Sequence, residues 1–198
     1  MTRDAQRAGL RVIPVIFVLL GFSLSAPAAQ FTLAELMGAL ANSKHGVATF
    51  TEKKYMSILD QPVESSGELR FVPPARLEKR TLRPKLETLV LDGDILTVER
   101  QTQKHALQLK DYPQVAGMIV GIRATLAGDR KALEGVYHLD LAGNRDRWAL
   151  VLTPRDADVG RVIDRIRMEG AGDEVRTVEI HLADGDHSVM SIRKGAAP

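Results

Sequence analysis

The densest group of side chains able to do acid–base or metal chemistry is Glu179, His181, Asp184, Asp186 and His187, close to the C-terminal end of the 198-residue chain. The remaining histidines, His45, His105 and His138, are far apart in sequence. None of the established ligand spacings is met, and a hairpin accounts for the cluster more simply. Glu179 and His181, two apart, leave one face of a strand, and Asp184-Gly185 supplies the turn. There is no cysteine, which excludes disulfides, thiolate metal sites and cysteine nucleophiles together. G-x-S-x-G elbows, S-x-x-K pairs, phosphate-cradling glycine loops and dinucleotide fingerprints are also missing. Carboxylate pairs arise by chance among 25 acidic residues and decide nothing. The expectation is therefore a protein with no catalytic residues, no metal and no cofactor, which acts by shape.

The N-terminus carries Arg3, Arg7 and Arg11, then an apolar run from Val12 to Leu24, then Ala26-Pro27-Ala28-Ala29. That succession is the pattern of a secretory signal peptide, and the run is too short to span a bilayer comfortably. Residues 1–28 are read as the leader and 29–198 as one domain, of a length that supports a single sizeable core. Removing the leader takes away three arginines and one aspartate, so the formal charge falls from +2 to zero. No electrostatic case remains for binding nucleic acid. Without cysteine no lipid can be attached through an N-terminal Cys, and the expected product is a soluble exported monomer.

The elements follow from local pattern. Thr32-Leu33-Ala34-Glu35 is a capping box, Phe31 stands where a staple to Leu36 would begin, and Leu33, Leu36, Met37 and Leu40 share one helical face ending near Asn42. Gly46 to Tyr55 reads as a strand, and Asp60 to Ser66 as a loop before a strand from Gly67 to Phe71. Pro73-Pro74 ends that strand; Arg76 to Thr81 is the next, and ETLVL-DGD-ILTVE is a hairpin about Asp92-Gly93. A short strand is expected over His105 to Lys110. The period then changes: Val115, Met118, Ile119, Ile122 and Leu126 form a helical stripe, interrupted by Gly117, Gly121 and Gly128, which weaken the isolated helix. Asp129 caps a further short turn, Asp156 to Arg161 forms one more, and five strands occupy the remainder. The sum is a mainly β, α+β fold of ten or eleven antiparallel strands with an N-terminal helix and a helical insertion. Aromatic residues make up only 5% of the chain, so few side chains are large enough to fill a wide barrel.

The succession of ATFTEKK, a G-x-L strand at Gly67, a Pro-x-Arg-x-x-Lys strand at Pro74 and the hairpin LVLDGDILTV resembles the periplasmic outer-membrane lipoprotein carrier proteins of the LolA type. The resemblance implies a half-open barrel lidded by helices, whose apolar cavity holds acyl chains between an inner-membrane donor transporter and an outer-membrane acceptor. Carried over by position, it places Phe50, Leu69, Phe71, Leu77, Leu89, Leu91, Leu96 and Val98 on the concave wall. It assigns Leu33, Leu36, Met37, Met118, Ile119, Ile122 and Leu126 to the lid. The family often has a basic residue before the proline aligned with Pro74; here that position is Pro73, and Arg76 is the nearest candidate for gating. The same fold also serves as a periplasmic sensor module that binds envelope-stress regulators, which is the alternative the resemblance leaves open.

Overall fold

The computed structural model describes residues 31–43 and 46–195. The leader expected over 1–28, with its boundary, and His45 lie outside the described residues. The first helix, α1 (Leu33–Ala41), starts at the capping box: Thr32 Oγ1 accepts from the Glu35 N–H at 3.2 Å, and the Thr32 N–H donates to Glu35 Oε2 at 2.8 Å. That backbone hydrogen bond, aided by the Thr32 hydroxyl, holds the Glu35 carboxyl below its usual pKa.

Six strands follow, β1 (Val47–Tyr55), β2 (Val63–Val72), β3 (Arg76–Arg83), β4 (Glu87–Asp92), β5 (Ile95–Arg100) and β6 (Gln103–Gln108). After a short 3-10 turn over Leu109–Asp111 the chain crosses through α2 (Pro113–Ala127) and α3 (Arg130–Val136). It resumes as β7 (Tyr137–Asn144) and β8 (Arg147–Pro154). One turn of helix, α4 (Ala157–Gly160), leads to β9 (Ile163–Ala171), β10 (Glu174–Leu182) and β11 (His187–Lys194). All eleven described strands belong to one antiparallel sheet, ordered β6-β5-β4-β3-β2-β1-β11-β10-β9-β8-β7. It consists of two meanders sewn together along β1 and β11, where Ala48 faces Lys194 and Phe50 faces Ile192. The sheet is not closed: β6 and β7 are its two edges, and the helices of the crossover lie between them.

Two local boundaries differ from expectation. The strand expected at Gly67 begins at Val63, because Ser65 and Ser66 pair with Glu52 and Thr51 instead of looping out. The strand expected to reach Lys110 stops at Gln108, where Leu109 turns inward and is buried beside Leu91 and Ile119.

The core is lopsided. Tyr137, Leu150, Leu152, Ile166 and Met168 of the second meander pack with Leu36 and Met37 of α1 and Leu133 of α3 into a solid cluster. Each fully buried side chain of this kind contributes about 1.5–3 kcal/mol. The first meander meets the helices through a much smaller cluster of Leu91, Leu109 and Ile119.

The side of α2 that carries small residues turns to the solid half. A Cβ on Gly117 would lie 2.9 Å from Val159, and one on Gly121 would lie 3.1 Å from Ile166 and 3.2 Å from the Tyr137 ring. The glycines that weaken the helix in isolation are what let it sit so close. Tyr137 Oη donates to the Gly117 carbonyl at 2.8 Å, and Thr125 Oγ1 donates to the Gly121 carbonyl at 2.7 Å. At its C-terminal end Gly128, with φ +66°, passes under the carbonyl of Met37 and so ties α1 to α2.

Burial raises the Tyr137 pKa from 10.0 to about 12. The unfolded chain then loses this proton before the folded one does. The contribution of Tyr137 to stability is thus complete below pH 10 and is lost as the pH rises from 10 toward 12. Ultraviolet titration of the three tyrosines should find one that ionises last, and that step should vanish in Tyr137→Phe. The same variant, by removing the buried hydrogen bond to the Gly117 carbonyl, should cost about 0.5–1.5 kcal/mol in denaturant unfolding at neutral pH.

Candidate functional site

Because α2 is drawn against one wing of a curved sheet, a gap opens between it and the middle strands. The gap is a cavity of about 620 Å³. Of the residues placed on the wall from sequence, Leu69, Phe71, Leu77, Leu89, Leu91 and Leu96 line it. Their positions alternate along β2 to β5, so one face of each strand meets the hollow. Phe50 shares the inward parity of Ala48 and Glu52 but is buried under Lys79, whose Nζ sits 4.8 Å from the ring centroid. Val98 is half-buried on β5 and is not part of the lining.

From the lid, Ile119, Ile122 and Leu126 face the cavity. Leu36 and Met37 are fully or nearly buried in the solid cluster, and Leu33 and Met118 pack against that cluster. The residue of α1 that reaches the hollow is Leu40. Sequence reasoning missed the contribution of the second meander: Val178 and Ile180 of β10 and Met190 and Ile192 of β11 complete the wall. Their alternation was visible in VRTVEIHL and HSVMSIRK. What was not visible was the pairing that brings β11 beside β1, with Thr49 and Arg193 in register 144 positions apart.

Charge is confined to two places. At one end of the cavity stand Arg70, Arg176, Arg193 and Lys194 together with the acidic Glu78, Asp173 and Glu174, the last lying 3.5 Å from Lys194 Nζ and 3.8 Å from Arg176 Nη2. Deeper in the wall, Glu52 and Lys79 form an ion pair at 2.5 Å.

Arg76 lies on β3, and its Nη1 bonds Asp92 Oδ2 at 2.7 Å, at the end of β4. The arginine that reaches from lid to sheet is Arg123 of α2: its Nη1 donates to the Gly93 carbonyl at 2.8 Å and lies 3.8 Å from Asp94. The turn of the central hairpin is thereby tied to the helix that covers the hollow.

The acid–histidine cluster folds as the hairpin its spacing implied. His181 and His187 are cross-strand partners with stacked rings 5.4 Å apart, and Tyr55 stacks on His187 at 4.5 Å. Asp186 Oδ1 accepts the Ser57 N–H, and Asp184 caps the turn. Among the described residues no group of three or more potential ligands is gathered to hold a metal ion, and no helix is long and apolar enough to cross a membrane.

Replacing Arg123 by Met keeps its aliphatic stem and removes the bond to Gly93. Hydrogen exchange should show the α2 amides exchanging about tenfold faster while those of β8 and β9 are unchanged. Arg76→Met, which breaks only the contact with Asp92, should leave α2 as it was.

Among solved structures, a LolA superfamily protein from Nitrosomonas europaea matches at 12% identity, over 84% of this chain and 95% of that one, with a TM-score of 0.43. The Pseudomonas aeruginosa MucA/MucB complex matches at 14% identity, over 84% of this chain and 58% of that one, with a TM-score of 0.44. The lipoprotein LppX of Mycobacterium tuberculosis matches at 10% identity, over 84% and 96%, with a TM-score of 0.42. No curated protein matches the sequence significantly. The family model described as "Outer membrane lipoprotein carrier protein LolA-like" matches residues 25–198. By that match the chain belongs to the LolA-like family of outer membrane lipoprotein carrier proteins.

Proposed function

We propose that this protein is a soluble periplasmic carrier that takes an acyl chain of a lipoprotein or another lipid into its cavity and moves it from the inner to the outer membrane. Residues 29–198 form the carrier domain in this reading, after export by the leader. The observation that carries it is the hollow itself, walled by Leu69, Leu77, Leu89, Ile122, Met190 and Ile192 and as large as pockets that engulf small ligands. No catalytic role is assigned to any residue, and the partners are the lipid, a donor in the inner membrane and an acceptor in the outer one.

The energetics fit a carrier better than a store. Burying a chain of ~16 carbons at ~0.8 kcal/mol per methylene yields roughly 13 kcal/mol before any cost. A protein that must hand its guest on has to offset much of this. Lifting a helix that is seated on the first meander by few buried residues does so. The lid residues Ile119, Ile122 and Leu126 and the adaptable Met190 suit guests of varied length.

Protein produced in a bacterial periplasm and extracted with organic solvent should release acyl lipid, and the stripped protein should bind a fluorescent fatty-acid probe with micromolar affinity. Ile122→Trp, which fills the hollow from the helix side, should weaken that probe at least about tenfold while the fold is retained by circular dichroism. Extracts free of lipid, together with a probe that ignores the substitution, would be evidence against carriage.

A further inference from the structure

In the wall of this apolar hollow Glu52 of β1 is only 5% exposed. One of its oxygens, Oε2, accepts both from Lys79 Nζ at 2.5 Å and from Ser65 Oγ at 3.4 Å. The other, Oε1, accepts from no described residue. It is not sealed away either, since among the described residues every fully buried side-chain oxygen has a partner. Glu52 and Lys79 reach toward each other from β1 and β3 across β2, where the position between them is Gly67. A Cβ there would lie 3.0 Å from the Phe50 ring, and Lys79 passes over that ring to meet Glu52.

A buried ion pair is a poor way to stabilise a wall, since the loss of hydration cancels most of the attraction and an apolar pair of equal volume does as well. What the pair does set is the chemistry of the guest. Both residues border the cavity, Glu52 with its second oxygen and Lys79 with ammonium N–H groups beyond the one given to Glu52. A hydrocarbon lying across them drives solvent from both groups and puts no hydrogen bond in its place. An ion of either sign meets repulsion almost as close as attraction, because the charges lie 2.5 Å apart, and it gives up its own hydration for little.

Donor and acceptor belong to groups already in contact, so a guest has to meet both from one spot. A hydroxyl does so with a single atom: its oxygen accepts from Lys79 Nζ while its proton goes to Glu52 Oε1, each bond about 2.8 Å long. A ketone oxygen in the same place accepts from Lys79 but has nothing to donate, and it turns its lone pairs on the carboxylate.

We infer that Glu52 and Lys79 form a polar subsite for a hydroxyl carried partway along the buried chain, so that the cavity selects hydroxylated acyl chains over oxidised ones of the same shape. This rests on the acyl-chain reading of the hollow and adds to it the chemistry of the chain itself. The position follows from β1: Ala48 pairs with Lys194 at the charged end, and Glu52 lies about 13 Å further along the strand. The subsite is therefore inside the hollow, where a mid-chain group comes to rest whichever end of the guest enters first.

The test is displacement of a bound fluorescent fatty-acid probe from the stripped protein by octadecanoate and by its mid-chain hydroxy and oxo derivatives. In a plain apolar wall the oxo compound beats the hydroxy compound, because the alcohol gives up both a donated and an accepted bond to water on entering. The wild-type protein should instead prefer the hydroxy compound by about tenfold. In Glu52→Leu/Lys79→Met, which removes both charges together, that order should reverse. An oxo compound that binds the wild-type protein as well as the hydroxy compound overturns the subsite while leaving the acyl-chain reading standing, whether or not the double variant folds. A hydroxy preference that survives in the double variant also overturns it. Failure of all three compounds, octadecanoate included, to displace the probe overturns both.

Discussion

The structure depends on how α2 chooses a side. Gly117 and Gly121 present a helix surface without side chains, and Val159, Ile166 and the Tyr137 ring close on it to within distances that a methyl group would violate. The Tyr137 hydroxyl then spends its only proton on the Gly117 carbonyl inside the core. A helix held so tightly to the second meander is held away from the first, and the curved sheet continues past it over a space that no backbone enters. The hollow is thus a consequence of a close contact elsewhere, with the larger residues Ile119, Ile122 and Leu126 left on the open side.

That arrangement divides the molecule by mechanical role. The half built from β7 to β10, α1 and α3 is filled by Trp148, Leu150, Ile163, Met168 and their buried neighbours. The half built from β2 to β6 meets the helices through Leu91, Leu109 and Ile119 and through Arg123, which reaches from α2 to the hairpin turn. Local opening is expected where few apolar contacts and exposed hydrogen bonds coincide, which is the side of the cavity away from the solid core. In the carrier reading, the rigid half keeps the fold while the lighter contacts let a guest in and out.

Much of the architecture was legible because it is local. The capping box at Thr32 and Glu35, the Asp92-Gly93 turn between two apolar runs, the cap at Asp129 and the helical turn from Asp156 each rest on residues a few positions apart, and each is found in the structure. The antiparallel, half-open character of the sheet followed from those pieces and from the family resemblance. The cavity was only half legible. Its first-meander wall could be named from the resemblance, whereas Val178, Ile180, Met190 and Ile192 enter it through the β1–β11 pairing, which no short stretch encodes. The glycines of α2 were read as a weakness of the helix. Their four-residue spacing, repeated by Thr125, was in fact the signal of a face meant for close packing, and it predicts which side of the helix stays free. Arg123 lay off the hydrophobic stripe, and that is why it could point at Gly93.

The central claim is that a hydrocarbon chain occupies the space between α2 and the middle strands. Nuclear Overhauser contacts between a protonated fatty-acid guest and methyl-labelled, otherwise deuterated protein test it most directly. The account predicts contacts from the guest to the methyls of Ile119, Ile122, Leu69 and Met190 at once, since these residues line one cavity from opposite walls. Contacts restricted to exposed methyls such as Ile58 and Leu86, with none to those four, would contradict it.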